Sequence, residues 1–216
     1  MTATSLRLRE ADRDHLVAAA AVLGIELIPR AVTDLCRFVD VLDLWSARMN
    51  LVSCRSPREV VDRHLLDSLA VAQTLPDEPA LVVDLGSGAG FPGLPLAILR
   101  TDLRFALVEV RRRRASFLNE VRRTLRLPNV EVMEQRAEHP PAKSEHTAAV
   151  VVSRAVWADD ELMDIAAGWL AEEGALVWMR STPLPNDFST DVYRREEPLQ
   201  YRIESNRPRY IEVLRR

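Results

Sequence analysis

The chain has 216 residues, 47% of them hydrophobic and 28% charged, with a formal net charge of −3. This length suits one compact domain with a modest extension, or two small domains, and the apolar fraction supports a core without disulfides. Two cysteines and the lack of any C-x-x-C pair argue against a disulfide framework or a zinc site, and we expect no bound metal. Every apolar run falls short of the roughly 18 residues of a membrane helix, and the N-terminus lacks a signal-peptide core. We therefore expect a monomeric cytoplasmic protein that does not bind membranes.

The basic residues are unusual in kind and in distribution. Of the 29 basic residues 28 are arginines, and residues 111–126 hold seven of them against one acid. Residues 194–216 hold seven more against four glutamates. Local basic patches on a mildly acidic protein fit the steering of an anionic partner, although a solvated helix face explains either patch alone equally well.

The first third of the chain is predicted to be helical. Apolar side chains recur at three- and four-residue spacing from Leu35 to Trp45, which indicates a helix with one buried stripe. A second helix is predicted to begin at Ser56 and Pro57, because serine caps helices and proline fits their first turn. The polar connector at 76–79 ends this region. Residues 1–78 are therefore predicted to form a helical cap packed on a second domain.

From residue 80 onward the pattern alternates between strands and helices. Strands are predicted at 80–84, 105–109, 130–133, 148–153 and 175–179, with helices at 94–100, about 112–127 and 160–170. Two late segments, 200–204 and 210–214, resemble antiparallel edge strands. Such alternation predicts an α/β domain over 79–216 with a mainly parallel, seven-stranded sheet.

A glycine-rich loop follows the first predicted strand, in the string Val83-Asp-Leu-Gly-Ser-Gly-Ala-Gly-Phe-Pro-Gly93. Glycines at this position let the backbone turn and approach a ligand closely. Gly88, Gly90 and Gly93 match the dinucleotide fingerprint G-x-G-x-x-G, and Glu109 follows where that fold places a ribose-binding acid. A nicotinamide or flavin oxidoreductase is therefore one interpretation.

The acid at the start of the loop favours a different cofactor. Asp84 directly precedes Leu85-Gly86, where it suits a cationic ligand and would repel a pyrophosphate. This arrangement matches the first motif of methyltransferases that use S-adenosyl-L-methionine, which carries an ammonium and a sulfonium. We therefore favour the Rossmann-like class I methyltransferase fold over the oxidoreductase. The cofactor-binding residues expected on this basis are Asp84, Gly86, Gly88, Gly90 and Glu109.

The segment after the fourth predicted strand limits the methyl acceptor. It reads Ser153-Arg-Ala-Val-Trp157 and so lacks the Asn/Asp-Pro-Pro-aromatic string of amino-group methylases. It also lacks the nucleophilic cysteine of pyrimidine carbon-5 methylases, because Cys36 and Cys54 lie in the N-terminal region, where we expect them to be core thiols. What remains is an acceptor atom with its own lone pair, such as guanine N7, for which alignment and exclusion of water suffice.

Four motifs carry a resemblance to a known family. They are Asn50-Leu-Val-Ser53, Arg63-His-Leu-Leu-Asp-Ser68, the string from Asp84 to Pro95, and Ser153-Arg-Ala155. In order and spacing they resemble the glucose-inhibited division protein B family, the bacterial 16S ribosomal RNA guanine-N7 methyltransferases. The resemblance implies a Rossmann-like domain with an N-terminal helical extension, S-adenosyl-L-methionine as cofactor, and 16S ribosomal RNA or the small ribosomal subunit as partner.

The resemblance also implies roles for individual residues. Gly86 and Phe91 would contact the cofactor, Ala137 and Glu138 its adenine edge, and Arg154 would be the catalytic residue at the methyl-transfer pocket. His64, Asp67 and Ser68 share one helix, and we expect them to hydrogen-bond the glycine loop. Further positions implied to contact RNA are Asn50, His64, Arg136, Arg180 and Arg209.

The chain departs from the family pattern after the fifth strand. Arg180-Ser181 stands where the family usually has Lys-Gly, which keeps the charge and changes its geometry. A catalytically weak RNA-binding assembly factor on the same fold is therefore the second alternative.

Overall fold

The computed structural model describes residues 5–154, 157–203 and 208–216, and these residues form an α/β fold. The helices are α1 (Glu10–Val22), α2 (Pro29–Ser46), α3 (Pro57–Val60), α4 (Leu66–Ala70), α5 (Gly93–Leu99), α6 (Arg112–Leu125) and α7 (Asp159–Trp169). The strands are β1 (Leu81–Leu85), β2 (Arg104–Val108), β3 (Val130–Met133), β4 (Ala148–Ser153), β5 (Leu170–Arg180), β6 (Arg194–Arg195), β7 (Leu199–Arg202) and β8 (Pro208–Arg215).

The second predicted helix is a run of four short helical segments. Ser56 caps α3 as predicted, because its Oγ accepts a hydrogen bond from the Glu59 amide at 3.2 Å. A π-helical turn (Val61–Leu65) joins α3 to α4, and a 3-10 turn (Val71–Thr74) follows α4. Such π turns are frequent at functional sites because the extra residue re-aims the side chains of one turn. His64 lies in this turn.

The sheet has the order β3-β2-β1-β4-β5-β8, with the short strands β6 and β7 both paired to the outer edge of β8. The first five strands run parallel, and β8 runs antiparallel to β5. The sheet is therefore seven strands wide as predicted, but eight described strands build it, one more than the sequence indicated. The additional strand, β6, has two residues and is too short to leave a periodic pattern.

The two faces of the sheet carry separate clusters of buried apolar side chains. Val82 faces a large cluster that includes Leu35 of α2, whereas its neighbour Val83 faces a smaller cluster that includes Trp169 of α7. Side chains of a strand alternate between the faces, which explains the division. The N-terminal helices thus share one core with the sheet, α5 and α6. The boundary predicted between residues 78 and 79 falls between the 3-10 turn and β1 and stays a prediction.

The described helices include none long and apolar enough to cross a membrane. The same residues contain no group of three or more histidine, cysteine, aspartate or glutamate side chains arranged to hold a metal ion.

Candidate active site

The site lies where the strand order of the sheet reverses. β1 is the meeting point, with β2 on one side and β4 on the other, and the last residues of β1 and β4, Leu85 and Ser153, pair directly. Open parallel sheets bind ligands in the crevice at the carboxyl ends of their strands at this kind of switch point. The glycine loop after β1 and Arg154 after β4 therefore meet at the same edge.

The glycine loop needs three left-handed backbone conformations. The φ angles are +71° at Gly86, +57° at Gly88 and +86° at Gly90, a region that favours glycine. A Cβ at Gly88 would lie 3.6 Å from Arg114 Nη1 and from the Gly86 carbonyl oxygen, which is ordinary contact, so this glycine is needed for its backbone conformation rather than for space. A Cβ at Gly90 would overlap Leu94, so the third glycine allows α5 to pack closely. The bond between Phe91 and Pro92 is cis.

Two buried carboxylates brace the loop. Glu109, which follows β2, accepts hydrogen bonds from the Gly88 amide at 3.0 Å and from the Arg111 amide at 2.7 Å. Asp84 accepts one from the Gly93 amide at 3.1 Å. Burial raises the pKa of Asp84 to about 7, against the opposing effect of that hydrogen bond.

Two cavities open at this edge of the sheet. The loop cavity, about 310 Å³, is lined by Leu51–Ser53, Gly86–Ala89, Phe91 and Arg114. The arginine cavity, about 280 Å³, is lined by Asp67, Arg180, Tyr201 and Arg209 among others. Arg63, His64 and Arg154 line both cavities, so they form the boundary between them.

The arginine cavity holds more positive than negative charge. Among the residues that the structure describes, four arginines and one acid, Asp67, line it. Asp67 is buried and lies 3.9 Å from both Arg154 and Arg209, and it accepts a 2.6 Å hydrogen bond from the Tyr201 hydroxyl. Burial, together with the charge of Asp67, raises the pKa of Tyr201 above its usual range, so this hydroxyl keeps its proton.

His64 sits at the boundary in a constrained position. Its ring stacks on Phe91 with centroids 4.8 Å apart, and its Nδ1 lies 3.0 Å from Arg154 Nη1. Burial, reinforced by Arg154 and Arg63, lowers the pKa of His64 to about 3. The imidazole is therefore neutral at physiological pH.

The structure brings part of the predicted site together. Gly86, Gly88, Phe91, His64 and Arg154 line the loop cavity. Arg180 and Arg209 line the arginine cavity, although Arg180 also pairs with Asp159 at 3.0 Å and lies over the Trp178 ring. Ala155 of the Ser-Arg-Ala motif lies outside the described residues.

Other predicted residues lie outside the two cavities. Ala137 is buried, and its carbonyl accepts a hydrogen bond from Trp169 at 2.7 Å. Asn50, Arg136 and Glu138 are exposed.

The expected bonds from the His64 helix to the glycine loop are wrong. Ser68 donates to the His64 carbonyl at 2.6 Å, Asp67 binds Tyr201, and His64 binds Arg154. His64 lies in the π turn and Asp67 binds a distant strand, and spacing on a regular helix predicts neither feature.

Tyr201 is a site residue that the sequence did not predict. It lies 134 residues from Asp67, on a four-residue strand with no motif of its own. The N-terminal cysteines agree with the expectation of core thiols: Cys36 is buried, and burial raises the pKa of Cys54 to about 11, so neither is an activated nucleophile.

The sequence is similar to that of a known protein family. A family model described as rRNA small subunit methyltransferase G matches residues 31–192. Proteins named ribosomal RNA small subunit methyltransferase G are similar over much of the chain. The one from Roseiflexus castenholzii is 41% identical over 66% of this chain and 62% of its own length, so this chain matches under two thirds of that relative. The one from Ectopseudomonas mendocina is 34% identical over 83% of this chain and 86% of its own length.

Solved structures resemble the fold at low sequence identity. A SAM-dependent methyltransferase from Aquifex aeolicus superposes with a TM-score of 0.56 at 13% identity, over 72% of this chain and 92% of its own. The TYW2 protein of M. jannaschii, solved in complex with AdoMet, gives a TM-score of 0.53 at 13% identity, over 80% of this chain and 78% of its own. These likenesses confirm the predicted Rossmann-like methyltransferase fold.

Proposed function

Since the chain belongs to the rRNA small subunit methyltransferase G family, we propose that it methylates N7 of a guanine in 16S ribosomal RNA with S-adenosyl-L-methionine. The observation that carries the proposal is the pair of adjoining cavities. One is formed by a glycine loop with carboxylates behind it and the other by arginines, and they share His64 and Arg154.

The residues around the loop cavity fit the cofactor. Left-handed turns at Gly86 and Gly88 shape the loop, which rests on Glu109, whose two oxygens each keep a lone pair after accepting one amide bond. Glu109 would accept ribose hydroxyls, and Gly86 and Phe91 would line the bound molecule. Asp84 adds a buried acid suited to a cationic ligand. Ala137 and Glu138, which lie outside the cavity, are assigned to the adenine edge by the family likeness alone.

The arginine cavity fits the RNA. Of its described lining residues four are arginines and one is acidic, so an anion would balance the excess positive charge. A phosphodiester beside the target base supplies such an anion, and guanidinium groups bind phosphates well. Arg136 and Asn50, both exposed, would contact the RNA outside the cavity.

The chemistry requires alignment more than acid–base catalysis. When bound, the cofactor supplies a methyl group whose bond to sulfur breaks as the N7 lone pair forms the new bond, so no proton leaves. Arg154, tied to His64 and close to Asp67, is held in place to orient the base or its phosphate. A misplacement of about 1 Å can cost roughly a hundredfold in rate, so we expect Arg154→Ala to lower turnover through lost positioning.

Methylation of isolated small subunits tests the proposal. Subunits from a strain lacking this modification are incubated with the protein and methyl-labelled S-adenosyl-L-methionine, and the product is mapped by chemical cleavage at 7-methylguanine. We expect one labelled guanine in 16S RNA. Titration with S-adenosylhomocysteine and with dinucleotides accompanies the assay. Dinucleotide binding without methyl transfer would support an oxidoreductase, and RNA binding without transfer a silent assembly factor; either result contradicts the proposal.

We further propose that the protein acts as a cytoplasmic monomer. The exposed large apolar side chains of the described residues, which include Val22, Ile28 and Leu44, are spread over α1, α2 and later segments. A molar mass near 24.4 kDa by light scattering is the expected result, and a dimer mass would overturn it.

A further inference from the structure

The boundary between the two cavities contains one side chain whose hydrogen-bonding state is fixed. Arginine can only donate hydrogen bonds, so the 3.0 Å contact between Arg154 Nη1 and His64 Nδ1 requires Nδ1 to accept. The proton of the neutral ring then sits on Nε2. Nε2 makes no hydrogen bond to the described residues, and the His64 side chain is partly exposed.

The ring that carries this donor borders both cavities, where the acceptor base would have to lie. His64 lines both the loop cavity and the arginine cavity, and its ring is held by the stack on Phe91. Guanine carries N7 and O6 on the same edge, both as acceptors, whereas adenine has an amino donor in place of O6. A donor at the boundary can therefore read O6 while N7 stays free to react.

We propose that His64 selects guanine by donating a hydrogen bond from Nε2 to O6 of the target base, with Arg154 as the positioning residue that sets its tautomer. This inference rests on the proposed function. An uncharged donor suits the reaction because the guanine ring becomes positive on methylation. A positive charge on His64 would oppose the formation of that charge. Adenine would face its own amino group with the Nε2–H donor and leave both unpaired, which costs affinity.

The chain allows a matched pair of variants. In His64→Asn the amide carbonyl can take the place of Nδ1 and keep the bond from Arg154, but the side chain is too short to present a donor at the position of Nε2. In His64→Gln the longer amide can present that donor. Both variants lose the ring stacked on Phe91, so a difference between them reports on the donor rather than on packing.

The substrate is varied in parallel. Small subunits are reconstituted with inosine or with 2-aminopurine at the mapped target; inosine keeps O6, and 2-aminopurine lacks it. Single-turnover rates are measured for each protein, and the ratio of the inosine rate to the 2-aminopurine rate is compared. Both rates in a ratio come from the same protein, so its folded fraction cancels. The two substrates are the same for every variant, so their difference in intrinsic N7 reactivity cancels when ratios are compared between proteins.

We expect the ratio for His64→Asn to be about fivefold below that of the wild type, the size of one neutral hydrogen bond, and the ratio for His64→Gln to stay near wild type. His139→Phe, a change at an exposed histidine outside both cavities, should leave the ratio unchanged. Equal ratios for the Asn variant and the wild type would overturn the proposed hydrogen bond from His64 to O6. A wild-type protein that fails to methylate subunits containing guanine would instead overturn the proposed function.

Discussion

The two carboxylates behind the glycine loop differ in how their charge is compensated. Glu109 accepts two backbone amides, whereas Asp84 accepts one and is almost fully buried. A buried acid with so little compensation costs stability when it ionises. Retaining it makes physical sense if the charged form serves a cationic ligand, because functional sites often keep groups that stability alone would remove.

Asp84 should therefore make stability depend on pH. Its folded pKa of about 7 lies above the value near 3.8 of an unperturbed carboxyl, so the folded state holds the proton more tightly than the unfolded state. The stability of the fold should fall as pH rises from about 4 to 7 through this group. We expect the free energy of unfolding of Asp84→Asn, relative to that of the wild type, to increase by about 1 kcal/mol or more from pH 5 to pH 8. Urea unfolding at each pH measures it.

The control for this experiment is an acid with the opposite shift. The hydrogen bond and ion pair to Arg100 lower the pKa of Asp102, and the side chain is about half exposed. Asp102→Asn should change stability by well under 1 kcal/mol, with a small loss rather than a gain at high pH. The same pH trend in both variants would show that Asp84 is not the titrating group.

Glu109 should contribute to the affinity for the cofactor. Glu109→Ala removes the acceptor for ribose hydroxyls and frees the amides of Gly88 and Arg111. Hydrogen bonds to a charged group contribute on the order of 1.5 to 3 kcal/mol each, so the Kd of S-adenosylhomocysteine should rise tenfold or more in calorimetric titration. Glu172→Ala, a change at an exposed position on β5, serves as the control. An unchanged Kd would remove Glu109 from the site.

At the scale of elements, the β1–α5 connection determines both the packing and the opening of the site. Gly90 has a φ of +86°, and a Cβ added there would meet Leu94 of α5 and Leu118 of α6, whereas Gly24 has a similar φ of +75° and a Cβ added there would meet no atom within 4 Å. Comparing the two separates backbone strain from steric overlap. Gly24→Ala should cost about 1–2 kcal/mol from strain alone.

Gly90→Ala should cost clearly more than Gly24→Ala, because α5 or α6 must also move to admit a methyl group. Overpacking adds roughly 1–3 kcal/mol to the strain. The free energies of unfolding from urea titration give the comparison directly. Equal losses in the two variants would mean that α5 yields without cost and that Gly90 is needed only for its backbone conformation.

Elements with regular periodicity were predictable, and their junctions were not. The five parallel strands and the glycine loop follow from local patterns, because buried strands and left-handed glycines leave clear marks in sequence. β5 begins at Leu170, directly after α7 ends, five residues before the apolar run that indicated it. The π turn around His64 and the contact between Asp67 and Tyr201 depend on packing between distant segments, so no local pattern could reveal them.

At the scale of the whole molecule, a net charge of −3 conceals a basic face. Arg112–Arg114 occupy the first turn of α6, where the helix dipole favours acidic residues, and none is present there. Arg114 lines the loop cavity. Arginines at an unfavourable helix end beside the site agree with contact to an anionic partner. The opposite end of α6 lies near Arg37 of α2, whose guanidinium donates to the Thr124 carbonyl at 2.9 Å.

This geometry divides the seven arginines of residues 111–126 into two groups with different expected roles. If three or four phosphates are neutralised by the molecule, log K for RNA should fall with log salt at a slope of about −2 to −3. Arg113→Gln, at the end of α6 beside the site, should weaken binding and reduce that slope by about one. Arg122→Gln removes the same charge from the same helix about 13 Å further along its axis and should leave the slope unchanged.

Filter binding to 16S RNA or small subunits between 50 and about 300 mM salt would measure both slopes. Equal effects of the two changes would mean that RNA responds to the net charge of α6, and a slope near zero in the wild type would mean that the helix presents only a solvated face.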